Sequence, residues 1–269
     1  MAARLAATGY TELGFDAVAP YFTIIQESSA LGCDMQWEEK DNWPTVVRMY
    51  RPIWKDSRDI HIPSGFLEHP DNIAITKSIE ILKQEIGNEV AIIGKTMGPW
   101  TLAYHVFGVE NFLLMTIDDP DETMRCTHLP DHATGDLVSG EYYRRFLQDI
   151  HIEMAERLNV PLILHICGNT LDRMPYIADT GMAYFHFDSK NDPQAAMDTV
   201  EGKIGLVGNI NNPTTLYARG PAEVREEVFA CLDAGVQMIA PECAVPLATK
   251  LENLIAIPDA VREWCETNT

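Results

Sequence analysis

Short apolar runs alternate with longer amphipathic stretches along nearly the whole of the chain, and few folds accept that order. The runs are Ala17–Phe22, Val90–Lys95, Leu162–Ile166, Tyr184–Asp188, Ile204–Gly208 and Gln237–Ala240. Each is rich in β-branched or aromatic residues and is bounded by Gly, Asn, Asp or Pro, the pattern of a strand buried on both faces. The stretches Asn72–Ile86, Glu141–Leu158, Ala222–Ala234 and Leu251–Glu266 carry a helical apolar period. Strands followed by helices imply right-handed crossovers and a parallel sheet. With 269 residues and no Pro/Gly/Ser linker, one α/β domain spanning 1–269 is expected, of a size that suits a (β/α)8 barrel.

Two places break the rhythm. Residues 36–68 read as an excursion of loops or a hairpin over one end of the barrel. Near 126–131, a helical pattern through Pro120–Cys126 runs almost directly into Leu129–Asp131, which looks like the tail of a strand. A loop and a whole strand do not fit there, so either a barrel unit is abbreviated or residues are missing from the sequence.

Charge narrows the partners. Lys and Arg total 20 against 40 Asp and Glu, a formal charge of −20. Nucleic acids and anionic membranes both need clustered cations, so neither is expected. No apolar run reaches the roughly 18–20 residues of a membrane span, and no signal peptide opens the chain. A cytoplasmic location is the expectation. The six cysteines, at 33, 126, 167, 231, 243 and 265, are too sparse for a disulfide framework and read as packing residues or thiolate ligands.

The sharpest chemical signal is Leu162-Ile163-Leu164-His165-Ile166-Cys167-Gly168-Asn169. Side chains alternate across a strand, so His165 and Cys167 point the same way at its C-terminal end, where barrels build their sites. Cys243, in Ala240-Pro241-Glu242-Cys243-Ala244, lies just past another strand end. Imidazole and thiolates are good zinc ligands, and three of them leave a fourth position open for chemistry. From spacing alone, a packed core histidine beside a small buried cysteine explains His165 and Cys167 about as well.

Other polar residues fall near strand ends. Glu27 follows the first strand and is a candidate catalytic carboxylate, or else a surface helix residue. Asp188 is a candidate catalytic carboxylate and a partner for His165, or a helix cap. Glu242 could add a ligand or a hydrogen-bond acceptor. Asn209 and Asn211 are candidate substrate-binding residues, or satisfy loop backbone. Asp131 and His132 sit at the shortened junction, and His105 and His186 read as packed or exposed rather than catalytic.

The segments His165-Ile166-Cys167-Gly168-Asn169-Thr170, Gly208-Asn209-Ile210-Asn211-Asn212-Pro213 and Pro241-Glu242-Cys243-Ala244-Val245-Pro246 together resemble the uroporphyrinogen-decarboxylase-like methyltransferases. Within that superfamily they are similar to the methylcobamide:coenzyme M methyltransferases and the bacterial corrinoid-dependent demethylating methyltransferases. Gly98-Pro99-Trp100-Thr101-Leu102-Ala103, Gly108-Val109-Glu110-Asn111-Phe112 and Gly135-Asp136-Leu137-Val138-Ser139 share the likeness, which runs from Leu5 to Trp264. The resemblance implies a TIM barrel of the uroporphyrinogen decarboxylase type, with zinc held by His165, Cys167 and Cys243. Family members carry an additional N-terminal region before the part matching Met1–Gly14, and a helix end and strand where this chain passes from Cys126 to Leu129. Either the barrel is abbreviated at both places, at the N-terminus and near residues 126–131, or the sequence as given is truncated, and truncation is the simpler expectation.

The activity implied is methyl transfer between a corrinoid (cobamide), supplied by a separate carrier protein, and a small molecule. The small partner is a thiol such as coenzyme M, or a methylated ether or amine donor. A metal-free decarboxylase of the uroporphyrinogen type is the alternative, against which stands the missing arginine-rich N-terminal motif; a second alternative is an inactive barrel that only binds a corrinoid carrier.

Overall fold

The computed structural model describes residues 1–20, 25–37, 44–47, 52–126 and 136–268. The chain divides into two compact units, Met1–His128 and Leu129–Thr269.

The first unit runs α1 (Ala2–Thr11), β1 (Ala17–Val18), α2 (Gln26–Ala30), β2 (Met35–Gln36), β3 (Thr45–Val46), a 3-10 turn at Ser57–Asp59, α3 (Pro70–Glu85), β4 (Ala91–Ile92), α4 (Pro99–Phe107), α5 (Val109–Asp118) and α6 (Pro120–Cys126). Strands β1 and β4 pair in parallel, Ala17 opposite Ala91 and Val18 opposite Ile92. Around them Ala3, Val18, Leu82 and Val90 form a buried cluster, with Ala6, Tyr10 and Ile86 packed against it. The helix expected at Asn72–Ile86 starts two residues earlier, because Pro70 fits the first helical position and His69 Nδ1 accepts from Asp71 N–H. The expected excursion contains an antiparallel hairpin, Met35 opposite Val46 and Gln36 opposite Thr45. Trp100, Phe107 and Phe112 are buried on α4 and α5, with Trp100 edge-on to Phe112 at 4.8 Å. Edge-to-face geometry sets a positive ring edge against a negative ring face.

The second unit runs α7 (Gly140–Phe146), α8 (Gln148–Arg157), β5 (Ile163–Ile166), α9 (Met174–Ala178), β6 (Tyr184–Phe187), α10 (Pro193–Val200), β7 (Gly205–Val207), a π-helical turn at Asn212–Tyr217, α11 (Pro221–Ala234) and α12 (Leu251–Asn268). Its sheet is parallel in the order β5-β6-β7. His165 lies opposite His186, and His186 opposite Val207. Leu164, Ile166, Phe185, Phe187 and Leu206 are buried, as are Val224 and Val228 of α11. Alternation leaves His165, Cys167 and His186 half-buried on the other face of the strands. Local caps bound the crossover helices. Asp192 Oδ1 accepts from Ala195 N–H ahead of α10, and α11 closes on Gly235 in the left-handed region at φ 93°.

The expected strand Gln237–Ala240 extends this sheet only in part. Met238 N–H donates to the Leu206 carbonyl and Gly208 N–H to the Met238 carbonyl, but Leu206 N–H is taken by the side chain of Gln237 at 2.7 Å. A side-chain acceptor in place of a backbone carbonyl leaves isolated bridges, Val207 with Met238 and Ile210 with Pro241. The helix expected over Glu141–Leu158 is two helices, broken at Leu147 (φ −127°, ψ −34°).

An eight-stranded closed barrel is not seen among the described residues, whose sheets are a parallel pair, a hairpin and a three-stranded parallel sheet. The expected strand tail Leu129–Asp131, with His132, lies outside the described residues, as do residues 21–22 of the first expected strand. Among the described residues no helix is long and apolar enough to cross a membrane.

Candidate metal centre

Strand β5 ends by presenting His165, and the chain continues one residue past it to Cys167. The turn that follows needs Gly168, whose φ of 78° lies in the left-handed region. Cys243 arrives from the segment after the partial strand at 237–241. His165 Nε2 is 3.0 Å from Cys167 Sγ, and Cys167 Sγ is 3.1 Å from Cys243 Sγ. The three donor atoms all lie within 4.8 Å of one another. The two cysteines do not form a disulfide, which would bring the sulfurs to about 2.05 Å.

The donor set suits a metal. One nitrogen and two sulfurs match the borderline-soft preference of zinc, and metal–ligand lengths of about 2.0–2.3 Å bring such donors to within roughly 4 Å of each other. His165 Nδ1 is 3.1 Å from the His186 carbonyl oxygen. A carbonyl only accepts, so Nδ1 carries the hydrogen and the lone pair of a neutral ring sits on Nε2, the atom facing the sulfurs. The Cys243 thiol is held far below its ordinary pKa, chiefly by the hydrogen bond from Cys167 and then by His165, against the opposing effect of burial. A ready thiolate is the form that ligates a metal.

A collar of buried polar groups fixes these loops. Asp188, nearly buried, accepts from Gly168 N–H at 2.8 Å with one oxygen and from Lys190 N–H at 2.9 Å with the other. It therefore holds the residue after Cys167, while the expected bond to His165 is made by the His186 carbonyl instead. Carboxylate and imidazole sit on different strand levels, and the carbonyl of the directly opposed residue is nearer. Glu242 is not among the converging donors; its two oxygens accept from Ser189 N–H (3.1 Å) and Asn212 N–H (2.9 Å).

Asn209, 5% exposed, donates to the Asp188 and Asn191 carbonyls and accepts from Cys231 Sγ. Asn211 donates to Ser189 Oγ and accepts from Thr214 N–H. Sequence reasoning passed over Asn191 and read His186 only as packed or exposed. The buried Asn191 Oδ1 accepts from Thr170 and Leu171 N–H, and its Nδ2 donates to the Gly168 and Asp188 carbonyls. Its position in Ser189-Lys190-Asn191-Asp192-Pro193 marks a turn and gives no sign of these cross-strand partners.

Glu27 belongs to the first unit. It is nearly buried, and its Oε1 accepts from Thr96 Oγ and Met97 N–H at 3.0 Å each. Oε2 is buried without a hydrogen-bond partner among the described residues. His105, also in this unit, is buried with Nδ1 2.6 Å from Ser28 Oγ, in keeping with a packed role.

A family model described as uroporphyrinogen decarboxylase (URO-D) matches residues 1–129 and 125–264. The chain belongs to the uroporphyrinogen decarboxylase family. The two matched stretches of that family overlap at 125–129, the junction where the sequence reads as shortened. The relatives it is similar to include the methylated-thiol–coenzyme M methyltransferase of Methanosarcina mazei, 27% identical over 98% of this chain and 77% of the relative. The methylcobamide:CoM methyltransferase of Methanosarcina acetivorans is also 27% identical, over 97% of this chain and 84% of its own. A solved structure, a methyltransferase from Methanosarcina mazei, has a TM-score of 0.91 over 98% of this chain and 85% of that one. At 24% identity it shares the uroporphyrinogen decarboxylase fold.

Proposed function

We propose that this family member is a zinc-dependent, cytoplasmic methyltransferase that moves a methyl group between a corrinoid on a carrier protein and a small molecule. The small molecule is a thiol such as coenzyme M as acceptor, or a methylated ether or amine as donor. The reading rests on the convergence of His165 Nε2, Cys167 Sγ and Cys243 Sγ beside the ends of parallel strands, and is supported by relatives named as methyltransferases.

Zinc held by these three residues would supply a Lewis acid that keeps an incoming thiol deprotonated near neutral pH, or polarises a methylated donor. The chain's own residues do the positioning. His165 is oriented through the His186 carbonyl, Cys167 through Asp188 and Gly168, and the Cys243 loop through Glu242. Asp188 thus acts through the ligand turn. The buried Asn209 braces the loops beneath the centre, and the half-buried Asn211 is the better substrate contact of the two. Glu27, with Oε1 held and Oε2 without a hydrogen-bond partner among the described residues, is retained as a proposed catalytic carboxylate of the first unit.

Zinc-loaded protein incubated with methylcobalamin and a panel of thiols is expected to demethylate the corrinoid, followed by its visible absorbance, and Cys167→Ala to lose this by at least about 100-fold. The reverse assay supplies methylated ethers or amines with reduced cobalamin. Absence of transfer in both directions by zinc-loaded protein would overturn the proposal.

A further inference from the structure

We infer that His186 is a positioning residue that ties the two ligand-bearing segments of the centre together, so that His165 and Cys243 are set by one side chain and its backbone. The inference rests on the metal-centre reading above and assigns a role to a residue that donates no ligand atom.

Strand β6 lies between β5, which carries His165 and leads into Cys167, and β7, beyond which runs the segment to Cys243. His186 reaches both sides. Its backbone carbonyl takes the hydrogen of His165 Nδ1 at 3.1 Å. Its ring Nε2 is 2.8 Å from the Pro241 carbonyl oxygen, two residues before Cys243. An acceptor-only carbonyl requires that Nε2 be the donor. The ladder between Ile210 and this segment uses the Ala240 carbonyl and Glu242 N–H, which leaves the Pro241 carbonyl to His186. The two imidazole rings also pack with centroids 4.4 Å apart, so a shift of one ring moves the other.

These two ties can be separated. The carbonyl survives any substitution at 186, whereas the bond to Pro241 does not. Loss of the ring donor should free the Pro241-Glu242-Cys243 loop while leaving His165 oriented. Groups that orient ligands in this way typically change metal affinity by about 10–100-fold.

The test compares wild type, His186→Phe and His186→Gln by two readouts. Zinc affinity comes from competition with a chromophoric chelator, and amide hydrogen exchange over residues 237–246 is measured on metal-free protein. Phe keeps a flat ring and removes the donor; Gln keeps an N–H that can reach a carbonyl. The expected results are a zinc affinity about 10–100-fold weaker in the Phe variant, faster exchange in 237–246, and recovery of most of both in the Gln variant. Equal exchange in wild type and the Phe variant would overturn the tie, whatever the metal does. Faster exchange in the Phe variant together with a wild type that takes up no zinc would uphold the tie and remove the metal reading. Affinity within twofold of wild type in the Phe variant, with wild type binding zinc, would overturn the positioning role.

Discussion

Replacing Asp188 with Asn isolates the contribution of the collar to the fold and to the centre. The carboxylate gives one oxygen to Gly168 N–H and the other to Lys190 N–H. Asparagine has the same shape but a single acceptor, so one of these N–H groups meets an NH2 group and goes unpaired. A buried donor left without a partner costs about 1–3 kcal/mol, and the surviving bond loses the extra strength of a charged acceptor. The expected loss of stability is about 3 kcal/mol. At about 2–4 °C per kcal/mol for a chain of this size, the melting point should fall by about 6–12 °C. Because Gly168 follows Cys167 directly, zinc affinity should fall as well, by about tenfold or more. Thermal unfolding by circular dichroism gives the first quantity and chelator competition the second. A variant that melts within 1 °C of wild type, with unchanged zinc affinity, would refute the claim that this carboxylate holds the ligand turn.

Three further outcomes follow from particular residues. Burial pushes the Cys231 thiol up to about 11 from an ordinary value near 9; a raised folded pKa favours the neutral thiol, so its contribution is complete below pH 9 and is lost as pH rises through 11. Alkaline unfolding should therefore be shallower in Cys231→Ala by up to about 2–3 kcal/mol between those limits, and an unchanged slope would contradict it. Gly208 has φ 143°, and a Cβ there would lie 2.8 Å from the Phe187 carbonyl oxygen, so Gly208→Ala should cost at least about 2 kcal/mol in urea unfolding. In metal-free protein the lowered pKa of Cys243 keeps it a thiolate at pH 6, where an ordinary thiol slows about tenfold per pH unit; mass spectrometry should find Cys243 alkylated by iodoacetamide at that pH, and a rate falling in step with free glutathione would count against it.

The approach of His165 to Cys167 was legible because its signal is local. Alternation along a strand puts His165 and Cys167 on one face, and strand ends are where such a fold gathers functional groups. The partners that hold them were not, because they depend on register between strands. Asp188 finds Gly168, and Asn209 finds Asn191, across distances in sequence of 20 and 18 residues. The same limit hid His186, whose value lies in the Pro241 carbonyl 55 residues away. Helices were easier to read where a proline opens them, as at Pro70 and Pro221, than at Leu147, where no glycine or proline marks the break. The partial strand at 237–241 reads as a full one because a side chain competing for a backbone N–H, here Gln237, leaves no trace in an apolar pattern.

The central claim is that His165, Cys167 and Cys243 form one metal centre, and metal content tests it most directly. Inductively coupled plasma mass spectrometry on wild type and Cys243→Ala, both folded and purified without added metal, should find about one zinc per chain in the first and almost none in the second. Folded wild type without zinc, or a Cys243→Ala variant that keeps it, would contradict the account.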